Sequence, residues 1–183
     1  MAIETWQIDT AHSTIGFTVR HMVVARVHGR FSRYEGRVFM NGDLTRAQAE
    51  VKIEAASIDT QVEARDNHLR SPDFFDVAAF PRLIFHSRRV EAAGPNRYRV
   101  VGDLTIKDIT REVVLDTEFL GRVTDPFGTE RQAFSARTSI DRKDFGLTWN
   151  KALETGGVLV GERIDIELDV QAVKAVAATG KAA

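Results

Sequence analysis

The sequence predicts an all-β fold, an eight-stranded antiparallel barrel with one short α-helix near its mouth. Three observations predict it. Apolar and polar residues alternate with a period of two through most of the chain, the signature of half-buried strands. Turn-forming clusters punctuate the alternating runs. A single segment carries a helix-start pattern, and it is too short to cover the apolar face of eight strands.

The elements follow in order. Met1 to Asp9 moves directly into strand-like sequence. The next strand sets Ile15, Phe17 and Val19 on one side against Thr14, Thr18 and Arg20 on the other. Asn41-Gly42-Asp43 marks a turn, and Val51, Ile53 and Ala55 give a further strand face. Thr60-Gln61-Val62-Glu63 then reads as a capping box, with the threonine oxygen accepting from the backbone and Glu63 reaching back to the cap amide. The helix it starts is expected to run to about Arg70. Ser71 and Pro72 suit a new short turn that presents Phe74 and Phe75. Strand character resumes at Leu83 and Phe85, turns at Gly94-Pro95-Asn96, and returns as Tyr98, Val100, Gly102, Leu104 and Ile106. Lys107-Asp108 and Asp125-Pro126-Phe127-Gly128 are the next turns. The clearest alternation comes last, with Val158, Val160, Glu162, Ile164, Ile166, Leu168 and Val170 against Arg163, Asp165, Glu167 and Asp169. One barrel domain is expected over residues 1–173, with a small, polar, flexible tail over 174–183.

A sheet with so little helix must cover itself, as a sandwich or a closed barrel. Sequential hairpins with one long interruption favour the barrel. Eight strands leave an interior that side chains just fill, or that holds one small ligand.

Composition narrows the function. A chain of 183 residues with 43% hydrophobic and 28% charged residues is ordinary for a globular domain. A net charge of -1 gives no basis for a nucleic-acid surface. With no cysteine there is no disulfide, thiolate nucleophile or cysteine-ligated metal. Neither a secretion-type leader pattern nor a membrane-spanning apolar run occurs, which predicts a protein that is cytoplasmic or already processed, the first favoured, with no stable membrane insertion. The histidines His12, His21, His28, His68 and His86 have no i, i+2 or i, i+4 pair, so a metal site is not expected. A nucleophile elbow, a phosphate-cradling glycine loop and a paired-carboxylate signature are all missing, and no catalytic residue is assigned.

Two polar residues interrupt apolar faces, His21 after Val19 and Glu162 between Val160 and Ile164. They anchor a ligand head group, or they sit at a bulge or rim in contact with water. Arg65, Asp66 and His68 fix the helix to the barrel or form a charged latch at the pocket mouth, and the first role is favoured. Phenylalanine supplies 11 of the aromatics, and Phe17, Phe31, Phe74, Phe75, Phe80, Phe85, Phe119, Phe134 and Phe145 line a tunnel or fill a core. Small inward residues, Ala49, Ala55, Gly102 and Ala136, lean toward a tunnel.

The residues also resemble a known family. TAHSTIGFTVRHM, GRFSRYEG, SIDT, ARDNHLRSPDFFDVAAFPRLIFHS, GDLTIKDITREVVL, SIDRKDFGLTWN and VGERIDIELDVQA, in that order, are similar to the YceI-like polyisoprenoid-binding family over roughly Thr5 to Val173. The resemblance implies a lipocalin-like extended barrel that holds a polyisoprenoid, a quinone tail or a fatty-acid-like lipid, which would co-purify. It implies no other cofactor. Lys107-Asp108 stands where the family usually has a glycine in the turn, and the turn is expected to survive, with Asp108 tolerating the left-handed conformation. The candidate ligand contacts are Phe17, Val19, His21, Phe31, Val51, Ile53, Phe74, Phe75, Phe85, Val100, Leu104, Phe134, Trp149, Val160, Glu162 and Ile164. The expected function is sequestration or carriage of the lipid. The rival readings are an enzyme on a lipid or quinone, using His21 and Glu162 as acid and base, and a filled barrel serving as an interaction module. A homodimer through a strand edge or apolar rim is a further expectation.

Overall fold

The computed structural model describes residues 2–176. Its strands are β1 (Glu4–Ile8), β2 (Thr14–His21), β3 (Ala25–Phe31), β4 (Tyr34–Met40), β5 (Gln48–Glu54) and β6 (Ile58–Asp59). After the helix α1 (Glu63–Arg70) come β7 (Arg82–Gly94), β8 (Arg97–Ile106), β9 (Ile109–Thr124), β10 (Glu130–Asp141) and β11 (Val160–Lys174). All pairings are antiparallel, and β1 pairs with β11 to close the sheet.

Eleven strand segments make eight staves, because three staves are broken. β1 and β2 run along the same edge of β11, which pairs Trp6 with Lys174 and Thr14 with Asp169. Between them lies a short 3₁₀ turn, Thr10–His12, whose Ala11 amide donates to the Asp9 carboxylate. β3 and β4 face β2 and β1 in the same way, and β5 and β6 face β4 and β3. Counted by stave, the chain goes round the barrel in sequence order, as the alternation predicted. The long interruption between β6 and β7 carries the helix.

The helix begins differently from expectation. Gln61 adopts a left-handed backbone (φ 66°), Val62 occupies the N-cap, and no side chain caps it. Thr60 instead donates both its amide and its hydroxyl to Asp66 Oδ1, at 2.9 and 2.6 Å. The capping-box reading fails because an acid six residues downstream engages the threonine first. The expected end at Arg70 holds. The Lys107-Asp108 hairpin is present and pairs Ile106 with Ile109, but Lys107, not Asp108, takes the positive φ (59°).

Among the described residues, β6 has β3 on one side and no strand on the other. The α1 side closes this gap, with Arg70 donating to the carbonyls of Ala56 and Ile58 at 2.9 and 3.1 Å. Edge groups that would otherwise lack partners are satisfied. At the opposite end Trp6, Met40 and Ala172 form a small separate core, with Phe134 packed against it. β11 extends to Lys174, whose Nζ reaches Glu4 and Glu130 at 2.9 and 3.1 Å. Of the tail expected over 174–183, residues 177–183 lie outside the described residues.

Candidate functional site

A cavity of about 710 Å³ runs through the barrel. Its lining on β11 extends from Val160 through Ile164, Ile166 and Leu168 to Val170. A bulge between Val160 and Ile164 takes up two residues, so about eight regular steps at about 3.3 Å span about 26 Å of strand, or about 20 Å along the barrel axis at a tilt near 40°. The bore is long and slender. Ile164, Ile166 and Leu168 face inward yet are only half buried, which marks a hollow in place of a filled core.

Fifteen of the sixteen candidate contacts, all but Glu162, line this one cavity. Phe17 and Phe31 pack with ring centroids 5.8 Å apart, and Phe31 meets the edge of Phe75 at 5.9 Å. Phe74 and Trp149 lie 5.4 Å apart, with His68 edge-on to both. Val19, Val51, Ile53, Phe85, Val100, Leu104, Val160 and Ile164 complete the apolar wall, and Phe134 lines it toward the Trp6 end. His21 lines the cavity beside Val160, its partner across β2 and β11.

Glu162 is a correction. Between the Val160–His21 and Ile164–Val19 pairs, β11 advances four residues while β2 advances two. The resulting bulge throws Glu162 outward, where it meets Lys143 Nζ at 2.5 Å. Alternation fails inside the bulge, where the extra residues leave the pleat, and resumes in phase at Ile164. The acid–base pair of His21 with Glu162 therefore does not assemble, since the two lie on opposite faces of the wall. Arg142 holds the bulge from within: it is only 2% exposed and donates to the carbonyls of Gly161, Val160, Leu147 and Trp149. Burial pulls its pKa below the ordinary arginine value.

Other expectations are refined. Phe80, Phe119 and Phe145 do not line the cavity, and Phe145 belongs to the packed core. Gly102 does not widen the bore, because the Phe85 ring lies across it, as Phe17 lies across Gly29. Ala49 and Ala136 do line the cavity. Asp66 and Arg65 both bind Thr60 and fix the helix, and Arg65 also borders the cavity. Sequence reasoning missed Arg142 as a lining group, while Arg20 is exposed on β2 as the alternation placed it and touches the cavity only at its rim. The run from Ser139 to Asn150 gave no alternation that would have aimed Arg142 inward.

The histidines are dispersed. His12 meets Asp9, His28 meets Thr18, His68 meets Asp73 and His86 approaches Glu50. Among the described residues, no group of three His, Cys, Asp or Glu is placed to hold a metal ion. None of the described helices is long and apolar enough to cross a membrane.

The pattern of the YceI-like domain matches residues 6–172. The chain belongs to the YceI-like family. A UPF0312 protein of Staphylococcus epidermidis is 38% identical over 170 residues, covering 91% of this chain and 95% of that protein. A Staphylococcus aureus relative is 37% identical over 167 residues, covering 89% and 94%. Among solved structures, BcnA of Burkholderia cenocepacia superposes with a TM-score of 0.79 at 22% identity, covering 90% of this chain and 98% of that one. The Campylobacter jejuni YceI protein gives 0.73 at 27% identity, covering 86% and 90%. A polyisoprenoid binding domain from Saccharophagus degradans gives 0.68 at 14%, covering 93% and 98%. At that identity the last likeness is one of fold. The antiparallel β-barrel is the architecture these chains share.

Proposed function

We propose that this YceI-like protein sequesters or carries a long apolar lipid inside its barrel, a polyisoprenoid or the tail of an isoprenoid quinone. The observation that carries the proposal is the bore itself: about 710 Å³, drawn out along the barrel axis and walled almost wholly by apolar side chains. The volume falls within the roughly 300–1,000 Å³ of small-ligand sites, and its slenderness favours a linear chain over a compact ligand. The structural neighbour described as a polyisoprenoid binding domain supports the same reading. The hollow argues against a filled-barrel interaction module. The outward turn of Glu162 removes the residue pair on which the enzyme reading rested.

Binding is driven by burial. At roughly 0.8 kcal/mol per methylene, four prenyl units contribute on the order of 12 kcal/mol gross. Ordering and association costs of several kcal/mol offset part of it. Such an interaction is not directional, so several chain lengths are expected to fit.

The test is native mass spectrometry of the protein as purified, followed by organic extraction and exposure to geranylgeraniol. A co-purified lipid of several hundred daltons, or uptake of the alcohol, supports the proposal. Val160→Asp places a charge in the bore and is expected to reduce uptake at least tenfold, whereas Arg163→Ala, on the outer face, leaves it unchanged. An apo mass with no uptake would overturn the reading.

A further inference from the structure

The charged lining of the cavity is of one sign. Arg65 and Arg142 border it together with His21 and His68, and among the described residues no Asp or Glu does. Arg20 touches its rim but is exposed and also borders an outer cleft with Glu162 and Asp165. These groups gather at the α1 end. His68 stacks on Trp149 at 4.6 Å, the Trp149 carbonyl accepts from Arg142, and Arg142 also donates to Val160, the cross-strand partner of His21.

The three arginines differ from many on the outer wall. Arg33, Arg88, Arg122 and Arg163 each face a carboxylate. Among the described residues, none of the three cavity arginines forms a salt bridge; their recorded partners are neutral oxygens. Arg20 donates to the Val23 carbonyl, Arg65 to the hydroxyl and carbonyl of Thr60, and Arg142 to four carbonyls. A guanidinium has five N–H donors, so Arg20 and Arg65 keep most of theirs for a further acceptor. Of the nearby acids, Asp73 meets His68 and Glu162 meets Lys143. Glu162 and Asp141 both act electrostatically on Arg142, which leaves Arg65, among the described residues, as the cavity cation with no carboxylate beside it. Arg65, half buried beside an apolar bore, interacts more strongly with an anion than a solvated cation does, because low-dielectric walls screen it less than water. The exposed Arg20 is screened by solvent.

We infer that the cavity selects lipids with an anionic oxyacid head, a phosphate or a carboxylate, over neutral lipids with the same tail. The tail fills the bore, and the head rests at the mouth against Arg65, with Arg20 at the exposed rim and the buried Arg142 contributing its charge from behind the wall. This selection rests on the proposal that the bore holds a lipid chain.

The experiment compares affinities within matched pairs of probes on the delipidated full chain. Geranylgeranyl diphosphate is set against geranylgeraniol, and palmitate against hexadecanol, by native mass spectrometry and displacement of a fluorescent lipid. The expected result is a preference for the acid of about tenfold or more at low ionic strength, the scale of one charge-assisted contact. The preference is expected to shrink as salt rises. A preference in the diphosphate pair alone assigns phosphate as the head, and one in the palmitate pair alone assigns carboxylate. In Arg20→Gln and Arg65→Gln the ratio of acid to alcohol affinity falls toward one, while Arg137→Gln, exposed on the outer wall, keeps it. Equal affinity within both pairs, or an unchanged ratio in both cavity variants, would overturn the selection and leave the lipid-filled bore standing. Binding of none of the four probes would remove the bore proposal itself.

Discussion

Asp66 is 6% exposed, and its Oδ1 accepts from both the amide and the hydroxyl of Thr60. Asp66→Ala strands two buried donors and is expected to cost about 1–3 kcal/mol in urea denaturation. Asp66→Asn keeps the oxygen and is expected to lose less than half as much. Equal losses for Asn and Ala would mean that the charge, and not the acceptor, holds the helix. At this scale the sequence was partly legible. Inward-facing residues such as Phe17, Ile53 and Val100 followed from period-two alternation, because a pleated strand has no other way to place them. Glu162 and Thr60 did not. Each depends on a backbone irregularity, the β11 bulge in one case and the left-handed Gln61 in the other, which local pattern does not encode.

The helix is fastened to an open sheet edge, and Arg70 is its bolt. Its guanidinium spans from α1 to the carbonyls of Ala56 and Ile58. Arg70→Ala is expected to speed amide hydrogen exchange in residues 55–59 and in α1 by roughly tenfold, a loss on the order of 1–2 kcal/mol of local stability. Exchange in β9 and β10 serves as the reference and is expected to stay unchanged. Uniform acceleration would assign Arg70 to global stability. The strands themselves were legible, but their breaks were not, because the short turns at Thr10–His12 and Ala55–Ser57 interrupt pairing without a strong glycine or proline signal. The β2–β3 turn was also hidden. His21-Met22-Val23-Val24-Ala25 reads as continuing strand, yet Met22 and Val23 take positive φ values of 52° and 69°. A β-branched residue there carries strain that sequence preference argues against.

At the level of the whole molecule, carboxylate clusters brace the end away from the helix. Hydrogen bonding from Arg131 holds the Asp9 carboxyl below its ordinary value of 3.8, and Lys174 acts likewise on Glu4. Asp125 is lowered first by the Thr129 amide and then by Arg131, and Glu130 by Arg122. A carboxylate with a depressed folded pKa adds stability above its ordinary value and loses it as pH falls through the lowered one. Stability is therefore expected to be level near neutrality and to decline below about pH 4. Asp9→Asn should be less stable at neutral pH and decline less steeply in acid, as urea midpoints across the range would register. An unchanged acid slope would remove Asp9 from the account. The barrel as a whole followed from the shortage of helix. The hollow did not, because composition cannot tell a phenylalanine that lines a bore from one that fills it, as Phe17 and Phe145 demonstrate.

The seam between β1 and β11 pairs Trp6 with Lys174 and Ile8 with Ala172, so the first stave made on the ribosome is joined to the last. Until β11 has emerged, the inner wall lacks one of its eight sides and its greasy surface stays open to water. Such a nascent chain presents unpaired strand edges beside apolar residues, the combination most prone to association with other chains. Synthesis must therefore finish, or something must shield the growing chain, before an interior exists.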